Sequence, residues 1–360
     1  MFKRKLMIAL SASALAAGIA ACGSSSSSSG GGTTANAANT TRSKLPTVTM
    51  MVGGIDKQIY LPYQLAQNLG FYKKYGVNMQ LSTEQNGGVG AEDAMASGQV
   101  DMAGAWYVHT IDFQEKGKDV ISVAQLSGAP GEREMCAKGT TITSPVQWKG
   151  KTVGVTDIGS GTDELTQYMA HRGGLNTQQY SRAAVGAGPT FVAALQHQRI
   201  ACGMTSQPTA GAVQSKGIGY TAINLATTSG AEQALGGAYP AAGVLAQASW
   251  VNSHQKEVQA VVDALVATMH WIATHSAAQI ADAMPPGFVS NGLTTKADYV
   301  SELAGDKGQF LPDGMMPANG PQTVYTIEKF IGNAPHPINI ANTYTNSYVI
   351  AANKLEGYTK

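Results

Sequence analysis

The sequence predicts an α/β protein with two lobes, built from mostly parallel sheets that are covered by helices. Residues 45–360 form a stretch that is too long for a single compact core. Along this stretch, short apolar runs alternate with helix-length patterns of polar and apolar residues, which is typical of parallel sheets with helices on both faces. Ligands of such sheets bind at the carboxyl ends of the strands, so we look for site residues there.

The first 44 residues are predicted to lie outside this fold. A basic start, Met1–Lys5, precedes the apolar stretch Leu6–Ile19, and the sequence Ile-Ala-Ala-Cys-Gly then resembles the lipobox of bacterial lipoproteins. We predict a lipoprotein signal peptide over residues 1–22 with Cys22 as the lipidated residue, and the alternative is an ordinary cleaved signal peptide. Residues 23–44 consist mainly of Ser, Gly, Thr and Ala and are predicted to form a flexible tether.

The composition argues against several classes of function. Charge is nearly balanced, with 24 Lys and Arg against 23 Asp and Glu, and no basic run indicates binding to nucleic acid. The chain has three cysteines, and neither Cys-x-x-Cys nor His-x-x-x-His spacing occurs. We therefore expect no metal site and no cofactor.

Strands are assigned first, from short runs of apolar and β-branched residues bounded by turn residues. These runs are separated by segments of helix length, which gives the alternation described above. The predicted strands are Thr47–Met51, Val77–Leu81, Val100–Ala105, Asp119–Leu126, Lys151–Val155, Arg182–Val185, Ile200–Thr205 and Tyr220–Leu225.

Helices are assigned from apolar residues at helical spacing. Residues 59–69 show this spacing, and Gly70 ends that helix. Ala91–Ala96 is a second short helix. Apolar residues between Val258 and Ile272 form the stripe of one long amphipathic helix, which is expected to face the core. Breaks from Pro285 to Pro337 divide a helical C-terminal region.

A glycine-containing turn at residues 159–162 follows the strand Lys151–Val155 and leads into a helix. A Walker loop would need Gly-Lys-Ser or Gly-Lys-Thr, and the dinucleotide fingerprint would need a third glycine where this chain has Glu164. Both nucleotide interpretations are therefore rejected. Two interpretations stay open: the backbone N–H groups of the turn bind the polar end of a ligand, or Ser160 and Thr162 only cap the helix.

Five stretches, in the same order, resemble the solute-binding proteins of ABC importers that take nitrate, sulfonates, taurine and pyrimidine precursors of thiamine. The resemblance implies the type 2 periplasmic-binding-protein fold, in which two α/β lobes and two crossing segments enclose a ligand cleft. It places lobe 1 at residues 45–130, lobe 2 at 131–238 and the return to lobe 1 at 239–360. The five stretches are LGFYKKYGVNMQL, AMASGQVDMAGA, WKGKTVGVTDIGSGTDEL, ALQHQRIACGMTSQP and VLAQASWVNSHQKEVQAVVDAL.

The candidate ligand-binding residues follow strand ends in this arrangement. Aromatic side chains among them would stack on a planar ligand, and the turn would supply backbone donors. The alternative for Trp106 is ordinary core packing. The candidates are Ile55, Asp56, Lys57, Trp106, Tyr107, Gly159, Ser160, Gly161, Thr162, Gln207 and Tyr239.

Four further side chains receive interpretations of their own. Cys136 and Cys202 should lie on neighbouring strands of lobe 2 in this fold, and they either pair in an oxidising compartment or stay as two buried thiols. His109 is expected on a helix surface rather than against a ligand. Arg133, beside the crossing segment GAPGEREM, is expected to pair with a neighbouring glutamate, Glu132 or Glu134, and the alternative is contact with an anionic ligand.

The resemblance implies a lipid-anchored, extracytoplasmic, monomeric receptor that closes on its ligand and delivers it to an ABC permease and ATPase. The chain lacks a cluster of arginines, so a small organic ligand is favoured, either aromatic or bearing a sulfonate or carboxylate, with a small anion as the alternative. The chain is not expected to be an enzyme. The alternatives are an enzyme on the same fold, of the desulfinase or pyrimidine-synthase kind, and a lipoprotein that presents its ligand to a sensor.

Overall fold

The computed structural model describes residues 44–84 and 88–358. The predicted signal peptide, Cys22 and nearly all of the tether lie outside the described residues. None of the helices in the described part of the chain is both long enough and apolar enough to cross a membrane.

Ten strands form two five-stranded sheets in the part of the chain that the structure describes. The first sheet has the order β2-β1-β3-β10-β4, and the second has the order β7-β6-β8-β5-β9. We call the halves of the molecule around these sheets lobe 1 and lobe 2. The strands are β1 (Thr47–Val52), β2 (Asn78–Thr83), β3 (Met102–Trp106), β4 (Val120–Gln125), β5 (Glu132–Ala137), β6 (Thr152–Val155), β7 (Ser181–Ala184), β8 (Cys202–Ser206), β9 (Gly219–Asn224) and β10 (Ala242–Gln247).

Both sheets are mixed rather than mostly parallel. β1 is parallel to β2 and β3, and β6 is parallel to β7 and β8. β10 is antiparallel to β3 and β4, and β5 is antiparallel to β8 and β9. β5 and β10 are the first strands after the chain passes from one sheet to the other. Apolar runs look alike in buried parallel and antiparallel strands, so the sequence pattern does not show this direction.

Helices cover both sheets. The longest one, α10, packs against α1, α2 and α15 over lobe 1, and its predicted apolar stripe is buried. The helices are α1 (Leu61–Asn68), α2 (Phe71–Lys74), α3 (Val89–Ala96), α4 (Val108–Glu115), α5 (Gly161–Arg172), α6 (Pro189–Gln196), α7 (Thr209–Ser215), α8 (Thr228–Leu235), α9 (Ala248–Ser253), α10 (Gln255–Thr274), α11 (Ala277–Ala283), α12 (Pro286–Val289), α13 (Lys296–Asp306), α14 (Gly320–Ile331) and α15 (Ser347–Leu355).

The C-terminal region connects the two lobes. α14 packs against both α4 of lobe 1 and α5 of lobe 2. In addition, Arg133 of β5 donates a 2.8 Å hydrogen bond from Nη1 to Asp306 at the end of α13.

The expected pairing of Arg133 with Glu132 or Glu134 is wrong, because successive side chains of a strand point to opposite faces of the sheet. The sequence pattern does not predict β5, because its charged residues are typical of an exposed segment, whereas its glutamates are buried.

A disulfide links two neighbouring strands of lobe 2. Cys136 of β5 lies directly opposite Cys202 of β8, and their sulfur atoms are bonded. The bond closes a loop of 66 residues. In the entropic model, closing a loop of that length stabilises the folded state by about 4 kcal/mol.

Candidate functional site

A small chamber lies where the two lobes meet, and both lobes supply its walls. The remaining space has room for about one water molecule, so a larger ligand requires the lobes to move apart. Lobe 1 contributes Lys57, Tyr60, Glu92, Trp106 and His109, and lobe 2 contributes Glu132, Thr156, Gly161 and Thr162.

Trp106 and Gly161 form the closest approach of the lobes at this chamber. Trp106 is the last residue of β3, and Gly161 is the first residue of α5. A Cβ atom built on Gly161 would lie 2.1 Å from Cε3 of the Trp106 ring, so only glycine fits there in this closed arrangement. Behind Trp106, the ring of Tyr239 packs edge-on at 6.1 Å between centroids. The indole therefore lies between Tyr239 and the backbone at the start of α5.

Several polar groups of the turn before α5 form hydrogen bonds with one another. The hydroxyl groups of Thr156, Ser160 and Thr162 bond to one another at 2.8 to 3.0 Å. Ser160 also caps the helix by accepting from the N–H of Asp163, and Gly159 donates to the Asp163 carboxylate. Among the described residues, the N–H groups of Gly161 and Thr162 have no acceptor. Both interpretations of the turn thus have a structural counterpart: its first half caps the helix, and its second half borders the chamber.

Carboxylates dominate the electrostatics of the chamber. Glu92 and Glu132 are buried, and one oxygen of each has no hydrogen-bond partner in the described structure. Burial raises the pKa of Glu132 to about 7, although the positive charges of Lys57 and Arg133 oppose the rise. Burial also raises the pKa of Glu92, and nearby carboxylates such as Asp112 add to the effect. Lys57 donates to the Gly53 carbonyl at 2.9 Å.

One end of the chamber leads to a buried acidic cluster around His109. Its Nδ1 lies 2.9 Å from Oδ2 of Asp112, one turn further along α4, and its Nε2 lies 3.2 Å from Oε1 of Glu92 on α3. Two more buried glutamates approach from other helices, Glu164 on α5 and Glu328 on α14. Burial raises the pKa of Glu164, and repulsion from Asp112 and Glu328 raises it further.

Two groups of side chains have the composition of a metal site. In the first, Cys136 and Cys202 lie beside Glu134, but both sulfurs are used in the disulfide and offer no thiolate. In the second, one ligand atom from each of His109, Asp112 and Glu164 lies within 4.8 Å of the other two. An imidazole with carboxylates is a donor set that divalent transition metals accept.

The structure brings only some of the predicted site residues together. Lys57, Trp106, Gly161 and Thr162 line the chamber, and the other predicted residues do not. Ile55 and Asp56 lie in the loop after β1, and Gly159 and Ser160 bond within the turn before α5. The Tyr107 hydroxyl bonds to Thr343, and the Gln207 carbonyl accepts from the N–H of Gln58. Tyr239 lies behind Trp106.

Sequence reasoning missed the acidic side of the chamber. His109 is buried in the wall of the chamber rather than exposed on a helix surface. The reason is that α4 starts directly after β3, so its first turn lies at the cleft. The signal that could have found His109 is its place just beyond the carboxyl end of β3. Glu92 and Glu132 offered no such signal, since each lies at the start of its element.

Comparisons with known proteins agree with this architecture. A family model described as NMT1/THI5 like matches residues 59–279. The 4-amino-5-hydroxymethyl-2-methylpyrimidine phosphate synthase THI5 of Saccharomyces cerevisiae is 31% identical over 144 residues, which cover 37% of this chain and 42% of that protein. The chain thus spans less than half the length of the curated relatives it matches.

Solved structures extend the similarity to almost the whole chain. A protein from Bordetella bronchiseptica RB50 is 26% identical with a TM-score of 0.80, over 87% of this chain and 99% of that one. The periplasmic nitrate-binding protein NrtA from Synechocystis PCC 6803 is 15% identical with a TM-score of 0.70, over 87% of this chain and 89% of that one. The two-lobe fold of periplasmic binding proteins is therefore shown for this chain.

Proposed function

The chain belongs to the NMT1/THI5-like family, and from this premise we propose that it is an extracytoplasmic solute receptor of an ABC importer. In this proposal the solute is a small heteroaromatic molecule that bears amino or other hydrogen-bond donor groups. It binds between the lobes, stabilises their closed arrangement by contacting both, and is handed to a membrane permease.

The observation that carries the proposal is the combination of side chains in the chamber. Trp106 and Tyr60 offer aromatic surfaces to a planar ring. Glu132 offers a buried carboxylate oxygen without a hydrogen-bond partner, and Glu92, which pairs with His109, offers a second buried carboxylate. Carboxylate oxygens are strong acceptors for N–H groups. A flat ligand with donors at its edge satisfies both kinds of surface at once.

The same carboxylates argue against an anionic ligand. Burial raises the pKa of Glu132 to about 7, so this side chain is ionised above that pH. A like charge about 4 Å from it is then repelled by about 4 kcal/mol at an effective dielectric constant near 20. Lys57 is the one basic side chain besides His109 that lines the described chamber, and the guanidinium of Arg133 is paired with Asp306. We therefore place nitrate, sulfonates and carboxylates below amino-substituted rings as ligands.

The curated relatives give this ligand class a concrete probe. Their names contain an aminopyrimidine, 4-amino-5-hydroxymethyl-2-methylpyrimidine phosphate. An aminopyrimidine combines a planar ring with an exocyclic N–H donor, which matches the aromatic and acidic walls of the chamber. Because the chain spans less than half of those relatives, their activity is not carried over with the probe.

A thermal-shift screen tests the proposal. We expect 4-amino-5-hydroxymethyl-2-methylpyrimidine to raise the melting temperature, because a ligand that binds only the folded state stabilises it by mass action. Taurine, acetate and nitrate should give no shift. At the same pyrimidine concentration, Gly161→Val should show a clearly smaller shift, because an added Cβ would lie 2.1 Å from the Trp106 ring. A shift with nitrate or taurine and none with the pyrimidine would refute the proposed ligand class.

We also propose that Cys22 anchors the receptor to the membrane through lipid. The support is the lipobox-like sequence and the polar tether that follows it. Two acyl chains give stable anchoring. We expect wild-type protein in the membrane fraction and Cys22→Ser in the soluble fraction or as unprocessed precursor, with Ser24→Ala as the control. Wild-type protein that carries no lipid mass at Cys22 would contradict this.

An enzyme on the same fold is the second candidate. It is favoured by the similarity to synthases and by the burial of His109 between two acids beside the chamber. The two candidates differ in what happens to the ligand. A receptor returns the pyrimidine unchanged in stoichiometric amount, whereas an enzyme alters it, and mass spectrometry of the released ligand separates the two outcomes.

A further inference from the structure

The acidic cluster around His109 is unusual because its acids come from four different helices. Glu92 lies on α3, Asp112 on α4, Glu164 on α5 and Glu328 on α14. The first two helices belong to lobe 1, α5 belongs to lobe 2, and α14 packs against α4 and α5. The cluster therefore joins both lobes and the C-terminal region at one buried point.

The charges of this cluster are not balanced by the protein. Within residues 44–84 and 88–358, His109 is the only basic side chain that forms an ion pair with any of the four acids. Glu164 and Glu328 form none, and Glu328 receives one hydrogen bond from the Asn333 amide. Isolated carboxylates are costly to bury, so buried acids normally pair with cations, coordinate metals or take up protons.

Carboxylate oxygens that face one another without an N–H or hydroxyl donor point to a cation bound between them. Glu164 is 2% exposed, and its carboxyl group lies against that of Asp112, so this pair needs either a shared proton or a cation. Glu328 is fully buried, and one oxygen of Glu164 and one of Glu328 receive no hydrogen bond from a described N–H or hydroxyl group. The Glu164 carboxylate lies with the Asp112 carboxylate and the His109 ring inside a group whose ligand atoms are all within 4.8 Å of one another. Ligands of one metal ion lie about 2.0 to 2.2 Å from it, so small side-chain movements bring the three to coordinating distance.

We propose that His109, Asp112 and Glu164 bind one divalent transition-metal ion between the lobes. The imidazole nitrogen favours Zn²⁺ over Mn²⁺, Mg²⁺ and Ca²⁺, which prefer oxygen ligands. Glu92 and Glu328 lie beside these ligands and add negative charge that attracts the cation. Since Glu164 is in lobe 2 and the other two ligands are in lobe 1, the ion links the lobes and stabilises the closed arrangement.

The site does not depend on the proposed solute, and its test uses metal alone. Full-length protein is dialysed against a chelator and titrated calorimetrically with Zn²⁺, Mn²⁺, Mg²⁺ and Ca²⁺. We expect one Zn²⁺ per chain, with weaker binding of Mn²⁺, Mg²⁺ and Ca²⁺, and a rise in melting temperature on adding Zn²⁺. Bound Co²⁺ should give the visible absorption of a nitrogen- and oxygen-coordinated site.

Isosteric variants assign the ligands. Glu164→Gln and Asp112→Asn should each lower Zn²⁺ affinity by roughly 10- to 100-fold or more and remove the Co²⁺ absorption. Glu134→Gln is the matched control, because Glu134 is an equally buried glutamate of lobe 2 outside the cluster, and it should bind as wild type does. Absence of Zn²⁺ binding by wild type, or Zn²⁺ binding unchanged in either variant, overturns the proposal. Tighter binding of Mn²⁺ or Ca²⁺ than of Zn²⁺ overturns the role of His109.

Discussion

Gly161→Val is expected to weaken binding of the aminopyrimidine by roughly 10- to 100-fold while leaving the two lobes folded. The first atom of any side chain at this position would lie 2.1 Å from the Trp106 ring in the closed arrangement. Overpacking of this kind costs about 1 to 3 kcal/mol. The cost falls on the closed form, because the two residues belong to different lobes and separate when the lobes open. Calorimetric titration measures the loss.

A double-mutant cycle shows whether Trp106 is the cause. Gly161→Ala already adds the clashing atom, and Trp106→Ala removes the ring that it meets, so the double variant should bind better than the sum of the two single losses predicts. Gly287→Val is the matched control, since Gly287 also lies in the first turn of a helix and an added Cβ there meets no atom within 4 Å. Wild-type affinity in Gly161→Val would show that the lobes do not close at this point when ligand binds.

Glu132→Gln is expected to lower aminopyrimidine affinity by about 1.5 to 3 kcal/mol, the usual value of a hydrogen bond to a charged group. This corresponds to a loss of roughly 10- to 150-fold in Kd. Burial raises the pKa of Glu132 to about 7, so titration at about pH 8 keeps the wild-type side chain ionised. The neutral amide keeps the shape of the side chain and loses the charge that attracts the donor.

The sign of this effect separates the two ligand classes. An anionic ligand would bind more tightly to Glu132→Gln, because the variant removes a repelling charge. Glu134→Gln is the control, since Glu134 is also buried on β5 but does not line the chamber. Unchanged or tighter binding of the aminopyrimidine by Glu132→Gln than by wild type would contradict the ligand class proposed here.

The fold could be predicted from the sequence because its signals are local. Apolar runs such as Thr47–Met51 and the stripe of α10 identify strands and core helices whichever way the sheet is arranged. Strand direction is not local, so the expectation of mostly parallel sheets missed the antiparallel pairing of β5 and β10 with their neighbours. β5 was also hidden by its glutamates, which no single-sequence pattern marks as buried.

The site was only half predicted, for a related reason. Trp106, Gly161 and Thr162 follow strand ends, and the rule for open α/β sheets finds such residues. The acids come from helices that are far apart in sequence, and only the meeting of the lobes places Glu92 beside His109. Spacing rules for metal sites look for ligands on one short segment, so they found no site where His109, Asp112 and Glu164 converge.

The most direct test of the central claim is calorimetric titration of the wild-type protein with a matched pair of rings. The first is 4-amino-5-hydroxymethyl-2-methylpyrimidine, and the second is the same ring with a methyl group in place of the amino group. If the acidic chamber recognises N–H donors, the amino compound should bind at least about tenfold more tightly, which corresponds to about 1.4 kcal/mol. Equal affinity for both rings, or tighter binding of taurine than of either, would contradict the account.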